Sequence, residues 1–182
     1  MVSNNDFSPA SKSLYPEIIS SIFDAFLKEN KLIFLVGPRA RDIALESDVR
    51  AERNFDLTTN SPVEEIQEIA AKHLNLQPSD EKKEKSKTLT YYLPYDGDPE
   101  LQYHINIGTF RNYLPPLKSL RGHNLSGIVL DLATREVTIQ GFCYDAGGEC
   151  LDPFNGIADL KKKVLRPIFP TDNIFRESGG WG

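Results

Sequence analysis

The chain has 182 residues and a net charge of −5, with 40% hydrophobic and 26% charged residues. This composition is typical of a globular domain and argues against wholesale disorder or a fibrous repeat. The acidic balance also argues against a protein that coats nucleic acid by charge alone. Any contact with nucleic acid must therefore come from a local patch.

Neither a membrane span nor a secretory signal is predicted. The longest strongly apolar run, residues 32–36, is far shorter than the roughly 20 residues that cross a bilayer. The polar segment over 1–13 lacks the apolar centre of a secretory signal. Cys143 and Cys150 are too few for a disulfide scaffold, so we expect reduced thiols. Together these features lead us to expect a cytoplasmic location and no membrane partner.

Hydrophobic periodicity and turn residues predict helices and strands that alternate through the first half of the chain. In chain order we predict a helix over 16–30, a strand over 32–36, a brief helix over 40–46, a strand over 55–58 and a helix from 62 to 74. Gly37-Pro38 is expected to break the backbone before the brief helix. Ser61 is expected to cap the last helix with its side chain.

The second half of the chain is predicted to begin with a β-hairpin. A charged, solvated loop over 79–87 precedes it. The further elements predicted are strands over 88–93 and 101–110 joined by a turn over 94–99, a helix over 126–133, a strand over 137–144, a helix over 156–163 and an extended segment over 164–168. Because the hairpin demands antiparallel pairing, we expect a mixed sheet.

Five segments resemble, in order, the motifs of one known family. They lie at 33–42, 54–66, 109–111, 134–141 and 151–166. With them the chain resembles the head domain of the class II nucleotidyltransferases, which comprise tRNA CCA-adding enzymes and bacterial poly(A) polymerases. The resemblance implies a nucleotidyltransferase (polymerase-β-like) α/β (α+β) fold with a mixed, mostly antiparallel sheet flanked by helices. We expect this domain over 14–177, between tails at 1–13 and 178–182.

The same resemblance implies an activity and a set of site residues. The family adds a nucleotide from a nucleoside triphosphate (NTP) to an RNA 3′ end with Mg²⁺. Asp56 stands at the position of a catalytic metal ligand. The residues implied to bind the nucleotide are Gly37, Arg39, Arg41, Asp42 and Arg135.

Several residues depart from the family pattern. Neighbouring carboxylates on one strand hold two magnesium ions in such enzymes, and alternation places positions i and i+2 on one face. Here Asn54 replaces the first aspartate of Asp-x-Asp, and Asn106 falls at the position of the third carboxylate. Pro38 replaces a glycine of the phosphate-binding turn and removes one N–H group. A site meant for three negative charges therefore keeps one.

Two hypotheses follow, and we favour the first. The chain is an inactive head domain that binds RNA, a nucleotide or a protein partner as a scaffold or regulator. The alternative is an active RNA nucleotidyltransferase that uses Mg²⁺ and NTP on a tRNA-like 3′ end. The neck, body and tail that select the base and hold tRNA in the family are not expected in this sequence. A fragment of a longer protein, or an unrelated α/β domain, is the remaining interpretation.

Overall fold

A computed structural model describes residues 14–79, 87–95, 98–111 and 127–169. The predicted tails, most of the charged loop and the centre of the hairpin turn lie outside these residues. The domain boundaries therefore stay a prediction. None of the helices in the described part of the chain has the length and hydropathy needed to cross a bilayer.

Helices and strands alternate through the described residues. The helices are α1 Glu17–Lys28, α2 Gly37–Ala44, α3 Val63–Leu74, α4 Gly127–Ala133 and α5 Gly156–Lys161. The strands are β1 Ile33–Val36, β2 Asn54–Thr59, β3 Thr88–Tyr95, β4 Asp98–Thr109, β5 Cys143–Tyr144 and β6 Cys150–Leu151.

The strands form one six-stranded sheet in the order β3-β4-β2-β1-β5-β6. β2 and β4 run parallel, whereas the other neighbouring pairs are antiparallel. β3 and β4 form the predicted hairpin. The prediction of a mixed, mostly antiparallel sheet flanked by helices is thus confirmed.

The main hydrophobic core lies between one face of the sheet and helices α1 and α3. Both helices are amphipathic, and their apolar stripes pack on alternate residues of the strands. Phe23 and Phe26 of α1, Ile66 of α3, and Phe55 and Ile105 of the sheet are at most 1% exposed. Because this face is filled by apolar side chains, the polar residues of β2 and β4 project from the opposite face.

Two local predictions away from the candidate site are wrong. The segment over 137–144 was expected as one strand, but Thr138–Gln140 forms a 3₁₀ turn and only Cys143–Tyr144 is a strand. Thr138 is held out of a continuous strand by hydrogen bonds that it donates to Asp159 Oδ2 and to the Arg166 carbonyl oxygen. α5 also packs tightly on the turn, since a Cβ built on Gly156 would lie 2.0 Å from the Thr138 carbonyl oxygen. The predicted cap on α3 is also absent, since the helix begins at Val63 without a side-chain cap hydrogen bond.

Candidate functional site

Asp56 lies on the face of the sheet opposite the main core, where β2 runs beside β4. In the parallel register its Cα partner is Asn106. The Asn106 Nδ2 amide donates a hydrogen bond to Asp56 Oδ1 over 2.9 Å. Asn106 Oδ1 in turn accepts a hydrogen bond from Thr90 Oγ1 over 2.8 Å. The three side chains therefore form a continuous polar row across β2, β4 and β3.

This row fixes the role of the Asn106 amide. Turning the amide over would place its oxygen against an Asp56 carboxylate oxygen and lose the donated hydrogen bond. The amide therefore presents N–H to the carboxylate, whereas a metal ligand must present an oxygen lone pair. Asn106 acts here as a donor to Asp56.

The residues present do not fit a two-magnesium centre. Asn54 precedes Asp56 by two positions on β2, so it shares the same face of the strand, and it is exposed. The three strand positions that the family resemblance implies as ligands thus hold one carboxylate and two amides. Two divalent ions need several anionic oxygens to offset their charge, and this set supplies them from Asp56 alone.

The junction between β1 and α2 brings a helix start against Asp56. Gly37 has a φ of +73°, and a Cβ built there would lie 2.9 Å from Asp56 Oδ2. Only glycine accepts both this left-handed backbone and the close carboxylate. Gly37-Pro38 was expected to break the backbone, but α2 begins at Gly37 and Pro38 sits in its first turn. The proline costs no helical hydrogen bond there, because first-turn N–H groups have no partner within the helix.

Two connected cavities open around Asp56 and contain three arginines. The larger, about 450 Å³, is lined by residues of the β1–α2 junction and by charged side chains, among them Gly37, Pro38, Arg41, Asp56, Arg111, Arg135 and Glu136. The smaller, about 250 Å³, shares Asp56, Arg111 and Arg135 and extends towards Thr88 and Gly108. Of the predicted nucleotide-binding residues, the structure brings Gly37, Arg41 and Arg135 together beside Asp56.

Asp131 of α4 positions two of these arginines. It is 1% exposed. Its Oδ2 lies 3.1 Å from Arg135 Nη2, and its Oδ1 accepts the Arg111 backbone N–H over 2.9 Å. Within the described residues, the Nε of Arg135 is buried and has no hydrogen-bond partner.

Neither Asp131 nor Arg111 was among the predicted site residues. Arg111 was noted only as part of a motif. The spacing of Asp131 and Arg135 at i and i+4 was the available signal, because opposite charges at that spacing pair beside a helix.

Arg39 and Asp42 lie on α2 but outside both cavities. Arg39 Nη1 is 2.6 Å from Asp42 Oδ2 and 2.8 Å from Glu52 Oε2. The guanidinium is thus held by two carboxylates of its own chain, and a role of either residue in nucleotide binding stays a prediction. Arg41, on the same helix, lines the larger cavity.

Comparisons with known proteins show the family and the fold. The family model described as Poly A polymerase head domain matches residues 33–166. A CCA-adding enzyme of Lactobacillus helveticus is 28% identical over 145 residues, which cover 79% of this chain and 33% of the relative. A CCA-adding enzyme of Streptococcus pneumoniae is 29% identical over 147 residues, with the same two coverages of 79% and 33%.

Solved structures share the fold. A CCA-adding enzyme in complex with ATP matches with a TM-score of 0.64 and 22% sequence identity. The match covers 88% of this chain and 35% of the enzyme's chain. The Bacillus stearothermophilus CCA-adding enzyme in complex with CTP matches with a TM-score of 0.63 and 19% identity, over 87% of this chain and 35% of the enzyme's chain. A tRNA nucleotidyltransferase complexed with a primer tRNA and an incoming ATP analogue matches with a TM-score of 0.61 and 19% identity, over 85% of this chain and 40% of the other.

The chain spans about a third of the length of the curated relatives it matches. The match to the family model nevertheless extends from β1 to the residues just after α5, and so includes both cavities and the whole sheet. The protein therefore belongs to the Poly A polymerase head domain family.

Proposed function

We propose that this chain is a head domain that binds a nucleotide through its arginines and does not transfer it. The observation that carries the proposal is the hydrogen bond from the Asn106 amide to Asp56. In this arrangement the one remaining carboxylate is neutralised in part by a protein donor. Where the family resemblance implies metal-ligating oxygens, the site has a row of hydrogen-bonded side chains.

The side chains of the larger cavity favour an anionic ligand. Arg41, Arg111 and Arg135 line it together with the carboxylates of Asp56 and Glu136, so positive groups exceed negative ones by one. Guanidinium groups bind phosphate oxygens in a bidentate manner and stay charged at all working pH values. The phosphate chain of an NTP supplies oxygens that such guanidinium groups bind.

Transfer of the nucleotide requires more than binding. The attacking and leaving oxygens must be stabilised as charge develops, and two metal ions supply that stabilisation in enzymes of this chemistry. With Asp56 as the single carboxylate among the implied ligand positions, we expect nucleotide to bind and remain unreacted.

The same proposal includes a partner, either an RNA 3′ end or a protein, and a cytoplasmic location. The free thiols of Cys143 and Cys150 support a reducing compartment.

Isothermal titration of ATP, in EDTA and in magnesium, tests the proposal. We expect ATP to bind in EDTA and magnesium to change the affinity little, because arginines hold the phosphates. Arg135→Ala should weaken binding about tenfold or more through loss of a charge-assisted contact. Arg50→Ala is the matched control, since Arg50 pairs with Asp48 and lines neither cavity.

A transfer assay completes the test. Labelled ATP and CTP are incubated with magnesium and a tRNA that lacks its terminal nucleotides, and no incorporation is expected. Incorporation that Asp56→Ala abolishes would establish a working nucleotidyltransferase and overturn the proposal. Absence of ATP binding under every condition would overturn the nucleotide-binding part.

A further inference from the structure

An aromatic pair lies on the site face of the sheet, outside both cavities. Tyr92 of β3 and His104 of β4 are Cα partners in the hairpin register. Their rings are stacked, with centroids 5.1 Å apart and planes inclined by only 6°. Tyr92 is 47% exposed. A large aromatic side chain thus stands ordered yet open to solvent.

The pair is next to the polar row of the candidate site. His104 precedes Asn106 by two residues on β4, and its Cα partner on β2 is Asn54, two residues before Asp56. Two residues along a strand span about 7 Å and bring side chains back to the same face. The pair therefore lies about 7 Å along the strand from Asn106, which lines the smaller cavity.

Sheet stability alone accounts poorly for this arrangement. Cross-strand aromatic pairs do stabilise sheets, but chiefly by removing ring surface from water. Tyr92 keeps nearly half of its surface exposed on β3, an edge strand of the sheet. Stacking on His104 also holds the tyrosine ring in place before any ligand arrives, which lowers the entropy cost of binding.

We infer that the Tyr92–His104 pair is a stacking platform for a nucleobase whose phosphate lies in the arginine-lined cavities. This inference rests on the proposed function, and it adds the part of the ligand that the arginines do not contact. Aromatic rings stack on any base, so the platform selects nucleotides over simple phosphates without selecting one base. A free nucleotide and the 3′ end of single-stranded RNA both offer a base joined to phosphate.

The experiment compares ligands with and without a base. Binding of ATP, inorganic tripolyphosphate, an oligo(A) RNA and the same RNA with an abasic 3′-terminal nucleotide is measured by competition for a fluorescent ATP analogue. Tyr92→Ala should raise the Kd of the ligand that supplies the base by about 5- to 100-fold, as base–aromatic stacking does elsewhere. Tyr92→Ala should leave the Kd of tripolyphosphate and that of the abasic RNA unchanged. The ligand that responds, ATP or RNA, identifies the source of the base.

Control variants separate stacking from folding. Tyr92→Phe keeps the ring and should bind like the parent. Leu45→Ala removes another exposed apolar side chain, 51% exposed, and should have no effect. Unchanged binding of both ATP and RNA in Tyr92→Ala would overturn the platform, and so would equal weakening of ligands with and without a base. If the parent binds tripolyphosphate while Tyr92→Ala has no effect, only the platform fails. If the parent binds none of the ligands, the proposed function fails as well.

Discussion

The carboxylate of Asp131 lies 3.1 Å from the guanidinium of Arg135. The Asp131 side chain is 2% exposed and that of Arg135 is 13% exposed, so the pair is held largely away from water. A buried charge that loses its partner is strongly destabilising. Asp131 thus holds the guanidinium of Arg135, a residue that lines both cavities.

Asp131→Asn should therefore affect both stability and binding. Removing the charge leaves Arg135 without its counter-ion, and we expect a loss of about 3 kcal/mol in the free energy of unfolding. ATP binding should weaken about tenfold, since the guanidinium is no longer positioned. Urea denaturation and ATP titration measure the two effects.

Asp48→Asn is the matched control for this substitution. Asp48 pairs with Arg50 on the surface, where the two side chains are 58% and 42% exposed. Exposed ion pairs contribute about 1 kcal/mol or less. If Asp131→Asn lowers the free energy of unfolding no more than Asp48→Asn does, Asp131 does not hold Arg135 in the way described.

Most of the fold was predictable because its main elements have local signals. The amphipathic stripe of α1, the apolar run of β1 and the turn between β3 and β4 are each encoded by neighbouring residues. The segment over 137–144 was not predictable in this way. Its β-branched residues favour a strand, but Thr138 bonds to Asp159 and Arg166, which belong to a distant part of the chain.

The site was predictable only as far as the motifs reach. The family resemblance assigned Asp56 and Asn106 to metal-ligand positions and Arg135 to nucleotide binding. The structure adds that Asn106 lies opposite Asp56 in the sheet and that Asp56 and Arg135 line one cavity. It did not show which way the Asn106 amide turns, because that depends on Thr90 of the neighbouring strand. Nor did it indicate Asp131, whose importance comes from burial rather than from a motif.

Gly37→Ala should destabilise the protein through backbone strain and a clash. A left-handed φ costs a non-glycine residue about 1–2 kcal/mol, and the new Cβ would lie 2.9 Å from Asp56 Oδ2. Thermal unfolding of Gly37→Ala and of Gly147→Ala checks this, because the nearest atom to a Cβ on Gly147 is 3.4 Å away. In an Asp56→Ala background the cost at Gly37 should shrink, since the clash is removed and the strain remains. Equal costs in both backgrounds would contradict the close approach.

The two cysteines should differ sharply in reactivity. Cys143 is buried, and burial raises the pKa of its thiol to about 12. Cys150 is exposed, although partial burial raises its pKa as well. Because the thiolate is the nucleophile, iodoacetamide at mildly alkaline pH should label Cys150 about tenfold or more faster than Cys143. Peptide mapping by mass spectrometry measures both rates, and urea should equalise them. Equal labelling of the native protein would contradict the burial of Cys143.

Glu29 should make stability depend on acid pH. Hydrogen bonds from Lys72 and His73 lower its pKa from 4.5 to about 2. A carboxyl with a lowered folded-state pKa stabilises the protein above its unfolded pKa, and this contribution is lost as the pH falls towards the folded value. The advantage of the parent over Glu29→Gln in melting temperature should thus be complete above pH 4.5 and decline from there to about pH 2. Glu68→Gln, an exposed change on α3, is the control. An advantage that is constant across this range would contradict the pairing.

Asn106→Asp tests whether one added carboxylate is enough for this site to bind magnesium. The new carboxylate would face Asp56 across the 2.9 Å contact that the amide now makes as a donor. Two carboxylates this close repel, so in EDTA the variant should lose about 1–3 kcal/mol in the free energy of unfolding. A divalent cation between them reverses the repulsion, so magnesium should restore the melting temperature of the variant while leaving the parent unchanged. Gln102→Glu adds the same charge at an exposed position of β4 and should respond to neither condition. If Asn106→Asp is as stable as the parent in EDTA and indifferent to magnesium, the two side chains do not meet as described.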